Sequence, residues 1–256
     1  MITAIDAHCH IHYGPKENLV FNHLSKLMQE GNLYSAYPDV IKQISECAHI
    51  SKVLASPFDG VIDCGRTEQA NEDMMKIAAE NEFLYQWVVI DPRNDNTFAQ
   101  AQRMLATDKC VGIKLHPVCH KYSLTEYGDK IFSFADKHSA IVQIHPEKEN
   151  GAENIIYFAN KYTKTRLIMA HLGGEAHINA VKKAVHGNVY VDTSGMASLK
   201  NMIIEYAVSQ IGSERILFGT DTYSAASQRG RIEFSMISDR DKENILSGNA
   251  KKLFDL

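Results

Sequence analysis

A chain of 256 residues, 45% hydrophobic and 23% charged, has the balance of a folded protein of one large domain or two small ones and excludes wholesale disorder. Lysine and arginine number 27 against 31 acidic residues, and the net charge of −4 argues against a nucleic-acid partner. Five cysteines, odd in number and without a C-x-x-C pair, point to a reducing compartment and away from a thiolate zinc cluster.

In chain order, short apolar runs alternate with longer amphipathic stretches. The runs at 3–7, 52–56, 84–90, 111–115, 140–144, 167–170, 189–191 and 216–218 are brief and rich in β-branched residues, which predicts eight buried strands. Between them, 39–49 sets Val40, Ile41, Ile44 and Ala48 on one stripe, and 67–81 does the same with Ala70, Met74, Ile77 and Ala78. Stretches of the same kind follow at 97–105, 125–137, 152–161, 176–185 and 199–209, with two short helices closing the chain at 241–246 and 250–254. Strand and helix in alternation imply right-handed βαβ units and a parallel sheet. Eight such strands in a chain of this size predict an α/β fold of the (β/α)8 TIM-barrel type. An open doubly wound sheet would want a glycine-rich phosphate turn after its first strand. Here the first run continues instead into Ala7-His-Cys-His-Ile-His12. No linker marks a boundary, so residues 1–256 are expected to form a single barrel, with 11–37 as a cap-like loop over its mouth. Neither a signal peptide nor a membrane span is apparent, and a cytoplasmic protein without a membrane partner is expected.

The 12 histidines carry the functional signal. His8 and His10 flank Cys9, and strand alternation sends the two imidazoles to one face and Cys9 to the other. An isolated H-x-H recurs by chance, but the other strand ends repeat the theme. Strand four closes on His116, strand five on His145, strand six on His171 and strand eight on Asp221, where a barrel presents catalytic groups. Neutral imidazoles and a carboxylate in a ring suit a divalent transition metal. A bound metal acidifies its water and polarises a carbonyl, and an adjacent carboxylate can accept the water's proton.

Asp6-Ala-His-Cys-His10, Gly112-Ile-Lys-Leu-His-Pro117, Gln143-Ile-His145, Ala170-His-Leu-Gly-Gly174, Phe218-Gly-Thr-Asp221 and the closing 245–254 segment together resemble the amidohydrolase superfamily of metal-dependent barrel hydrolases, in its amidohydrolase-2 branch. The resemblance implies that His8, His10, His145 and Asp221 ligate the metal. It also implies that Asp221 serves as the catalytic base and that His171 contacts substrate or the reacting oxygen. Zinc is the expected ion, with manganese or iron(II) as alternatives. His116 is a candidate substrate contact. Lys114, on the same side of strand four, would in binuclear relatives be a carbamylated bridge to a second metal. The reading favoured here is a buried ammonium held by a carboxylate such as Asp6.

The expected activity is hydrolysis of a small amide, ester or lactone. The alternatives are nonoxidative decarboxylation of a small unsaturated or aromatic acid, and a catalytically silent metal-binding barrel. A small molecule is the expected partner, and a homo-oligomer is allowed. His12 and His23 read as surface residues, and His49, His138, His177 and His186 as structural ones. Arg66, Tyr13, Tyr34, Tyr37, Tyr223 and Arg229 could line the pocket, though each taken singly reads as surface.

Overall fold

A computed structural model describes residues 1–12, 37–149 and 151–256. Eight strands form one parallel sheet in sequential order: β1 (Ala4–Ile11), β2 (Ile50–Pro57), β3 (Leu84–Val89), β4 (Cys110–Leu115), β5 (Ile141–Ile144), β6 (Arg166–Met169), β7 (Val189–Asp192) and β8 (Ile216–Leu217). The ring closes where Ala7 N–H donates to Phe218 C=O at 2.9 Å and Thr220 N–H donates to His8 C=O at 3.1 Å. The expected TIM barrel is therefore present, and all eight strands fall on the predicted apolar runs. The proposed cap at 11–37 lies almost wholly outside the described residues, and with it His23, Tyr13 and Tyr34. Among the described residues, no helix is long and apolar enough to cross a membrane.

The predicted amphipathic stretches become helices at Pro38–Cys47, Thr67–Glu80, Asp95–Met104, Leu124–Lys137, Gly151–Lys161, Glu175–Lys183 and Ile203–Ile211. Their starts follow local chemistry. Asn94 accepts from Asn96 N–H, Ser123 accepts from Thr125 N–H, and proline opens the helix at Pro38. Pattern reading overlooked Phe58–Ile62, Pro117–His120 and Ala225–Glu233. The first two are too short to show a period. The third, AASQRGRIE, is polar with a central glycine and offers no apolar stripe. Its Arg229 is buried, holding the carbonyls of Ile2, Ala48 and His49 and the Glu233 carboxylate, so it pins the chain's start rather than lining a pocket.

Two apolar layers result. Ile5, Ala7, Leu54, Trp87, Ile141, Ile168 and Leu217 fill the barrel floor together with Ala250 and Leu253. Cys9, Ile11, Val53, Val88, Ile113, Val142 and Val191 belong to the larger layer shared with the helices, as expected for Cys9.

Alternation alone would place Ile5, Ala7 and Cys9 on one face, yet Ile5 and Ala7 face the floor while Cys9 joins the outer layer. A register irregularity between Asp6 and Cys9 reverses the alternation. It frees the Ala7 carbonyl from the ladder, and Trp87 Nε1 and Gln143 Nε2 donate to it at 3.2 and 3.0 Å. The irregularity aims His8 and His10 into the barrel and leaves Asp6 outside, in a small cleft with Cys9, Ile41, Ile44 and Thr220.

Candidate metal centre and active site

At the C-terminal rim, Asp221 Oδ1 lies 2.9 Å from His10 Nε2 and 3.5 Å from His8 Nε2. These three residues form a group whose ligand atoms lie within 4.8 Å of one another and could hold a metal ion. The second nitrogen of each imidazole is occupied: His8 Nδ1 meets Asp192 Oδ2 at 2.9 Å, and His10 Nδ1 meets Ser56 Oγ at 2.8 Å. Such contacts fix the rings with Nε2 toward the centre, the orientation metal-binding histidines need. The Ser56 hydroxyl can donate or accept, so it tolerates either tautomer of His10. Chemically, the donor set fits a divalent ion.

Electrostatics agree with neutral imidazoles and ionised carboxylates. Burial, reinforced by the Lys114 charge, pushes His8 down to about 4, and burial also lowers His10. Burial alone would raise Asp221, but hydrogen bonding to His10 and the charges of His8, His10 and His171 outweigh it and hold the carboxyl well below its ordinary range. Asp192 is likewise held low by His8 and Ser194 against the effect of burial.

His171 and Asp221 both carry left-handed backbones, with φ of 64° and 56°, rare for residues with side chains. That geometry turns the chain sharply at the strand end and brings His171 Nε2 to 3.9 Å from Asp221 Oδ2. Gly195 makes the approach possible: at φ 71°, a Cβ there would stand 2.7 Å from His171 Nδ1 and 3.2 Å from Asp221 Oδ2. His145, expected in the ring, sits beside the three-residue group and meets His171 Nε2 through its Nδ1 at 3.2 Å. Burial, followed by the His171 and Lys114 charges, lowers His145 to about 3. His116 stacks on His145 with ring centroids 4.2 Å apart, and its Nδ1 accepts from Cys119 N–H.

Lys114 departs from expectation. Its Nζ is 2.7 Å from His8 Nε2 and donates to Gln143 Oε1 at 3.0 Å, and no carboxylate bonds it among the described residues. The strand-one irregularity explains this, because it directs Asp6 away from the interior. Asp6 instead accepts from Thr220 N–H, Thr220 Oγ1 and His8 N–H. Burial raises Asp6 to about 7 and lowers Lys114 to about 8. His12 is buried rather than superficial, with Nδ1 3.1 Å from Asp59 Oδ1.

Sequence reasoning missed Asp192, Ser194, Gln143 and Ser56. Asp192 was within reach, since it closes an apolar run as His145 and Asp221 do. Gln143 lies within β5, two residues before His145, which follows the strand directly.

The amidohydrolase family model matches residues 5–256. No match is found among curated proteins. The fold is similar to that of a 5-carboxyvanillate decarboxylase from Novosphingobium aromaticivorans, complexed with manganese and 4-hydroxy-3-methoxy-5-nitrobenzoic acid (13% identity, TM-score 0.80, 100% of this chain and 96% of that one). It is also similar to a dihydroxybenzoic acid decarboxylase from Polaromonas with bound manganese and 2-nitroresorcinol (15%, TM-score 0.73, 98% and 97%). A third similar structure is an amidohydrolase from Burkholderia multivorans with bound HEPES (13%, TM-score 0.68, 99% and 99%). With its strand-end histidines, its barrel and a family match over nearly its whole length, this chain belongs to the amidohydrolase family.

Proposed function

We propose that the protein is a metal-dependent nonoxidative decarboxylase of a small aromatic or unsaturated acid. The observation that carries this reading is the position of Asp221, which shares a ligand group with His8 and His10 and faces His171 Nε2 at 3.9 Å. A second observation favours an acid as substrate. Lys114, 1% exposed, supplies buried positive charge beside that group without a bonded carboxylate of its own among the described residues. An anionic substrate would complete that balance. The decarboxylases among the similar structures, acting on hydroxylated benzoates, support a lyase over the hydrolase expected from the sequence.

His8, His10 and Asp221 would hold the ion, with His145 as the fourth ligand. When bound, a divalent ion would orient the substrate's oxygens and draw electron density from the bond that breaks. Zinc suits the nitrogen and oxygen donors, and manganese, present in two of the similar structures, is the first alternative to load.

The reaction exchanges a carboxylate for a proton. The C–C bond breaks, carbon dioxide leaves, and the electron pair left on the ring or vinylic carbon takes up one proton. Asp221, held ionised, is placed to collect that proton and deliver it to carbon, and His171 Nε2 is placed to share it. His116, stacked on His145, would wall the substrate's ring. The test is a panel of hydroxybenzoic and unsaturated acids offered to zinc- and manganese-loaded protein, beside amides, esters and lactones. Carbon dioxide release from an acid supports the reading; turnover confined to amides, esters or lactones replaces it with hydrolysis.

A further inference from the structure

We propose that Ser194 is a positioning residue that fixes the tautomer of His171 and, through it, that of His145. The catalytic consequence rests on the site reading above; the tautomers themselves do not.

The protons around Ser194 have one consistent arrangement. The Asp192 carboxylate accepts from His171 N–H at 3.1 Å, Ser194 N–H at 3.0 Å and Ser194 Oγ at 2.5 Å, and it meets His8 Nδ1 at 2.9 Å. An ionised carboxylate has no proton to give, so the Ser194 hydroxyl hydrogen is committed to Asp192. Ser194 Oγ can then only accept. His171 Nδ1 is 2.9 Å from that Oγ and 3.3 Å from the Ser194 carbonyl, which also only accepts. Nδ1 of a neutral His171 must therefore carry the proton, and Nε2 keeps the lone pair.

The next link follows in the same way. His171 Nε2 is 3.2 Å from His145 Nδ1, and with a lone pair on the first atom the proton belongs to the second. His145 Nε2 is then bare and able to ligate. Strands seven, six and five are joined in one directed chain, from the Asp192 acceptor to an open nitrogen on His145. The opposite tautomer of His171 would reverse the last link and cap His145 Nε2 with a hydrogen. Ser194 and Asp192 are fully buried, so solvent does not readily replace a lost member. Packing holds the serine in place as well: a Cβ on Gly219 would lie 3.1 Å from Ser194 Cβ and 2.9 Å from His8 Cβ.

The experiment is nitrogen-15 NMR of the imidazoles in chelator-treated, substrate-free protein, where no ion on His145 dictates its tautomer and the spectrum reports the protonated nitrogen of each ring. The expected result is Nδ1–H on both His171 and His145. Ser194→Ala, which leaves only the longer carbonyl contact at 3.3 Å to hold Nδ1–H, should admit the Nε2–H tautomer of His171 as a second population and weaken zinc affinity or lower kcat by roughly tenfold to a hundredfold, the usual cost of losing an outer partner of a metal site. KM should change much less than kcat. Nε2–H on His171 in the unmodified protein overturns the proposal, as do unchanged tautomers in the Ser194→Ala protein. Because substrate is absent, failure of the decarboxylase reading leaves this measurement decisive. If Ser194→Ala does not fold, the spectrum of the unmodified protein still decides.

Discussion

His171 and Asp221 leave neighbouring regions of the barrel rim with left-handed backbones and face each other across 3.9 Å, imidazole Nε2 to carboxylate Oδ2. Two such conformations in non-glycine residues mark local strain, and here they aim an imidazole nitrogen and a carboxylate oxygen at one space. The same aspartate contacts His8 and His10, so in the proposed reaction one side chain would serve both metal binding and proton transfer.

Asp221→Asn separates those duties. The amide keeps an oxygen near the ligand position but cannot carry the proton. Turnover should fall by roughly a hundredfold to ten-thousandfold while substantial metal stays bound. Elemental analysis and steady-state rates on the same preparation check this; a near-wild-type kcat would remove Asp221 from proton transfer.

Lys114→Met tests the buried amine. Lys114 occupies the His8 Nε2 lone pair, the atom a metal would need, and has no bonded carboxylate to orphan among the described residues. The substitution should therefore leave folding intact and tighten metal binding by about tenfold, the worth of one charge-assisted hydrogen bond. Chelator competition reads the affinity. Loss of metal would instead make Lys114 part of the binding site.

Gly195→Ala forces a Cβ to within 2.7 Å of His171 Nδ1 at a φ of 71°. A loss of about 1–3 kcal/mol in urea unfolding is expected, with kcat reduced alongside it. Unchanged stability would show that the 193–195 turn has room to move.

Acid should destabilise the protein. Burial lowers His8 to about 4 and His145 to about 3, and it also lowers His10, His116, His120 and His177. For these groups the unfolded chain, with imidazoles near 6.5, binds more protons than the native one. Stability is thus lost as pH falls below 6.5, by up to about 1.4 kcal/mol per pH unit for each imidazole. Asp6 opposes this: raised to about 7, it binds its proton in the native state first and offsets roughly one histidine between pH 7 and 4. The melting temperature of chelator-treated protein should fall from pH 7 to pH 5. A rise over that range would contradict the neutral imidazoles.

The barrel was legible because its strands are short apolar runs separated by amphipathic helices. The rim was legible because His116, His145, His171 and Asp221 each interrupt or close such a run. What stayed hidden has physical causes. The strand-one irregularity leaves no mark in a pattern read as strict alternation, so Asp6 was paired with Lys114 when it bonds Thr220. Ser194 lies beyond the end of β7, where a serine reads as turn material, and its role depends on contacts with His8 and His171 far away in sequence. Arg229 lies on a helix without an apolar stripe, which concealed both the helix and its burial.

The proposed metal centre is tested by the anomalous scattering of a crystal grown from metal-loaded protein, recorded at the edge of the loaded ion. One peak bonded to His8 Nε2, His10 Nε2, His145 Nε2 and an Asp221 oxygen is the predicted result. A peak between Asp192 and His171 would contradict it, as would two peaks bridged by density extending from Lys114 Nζ.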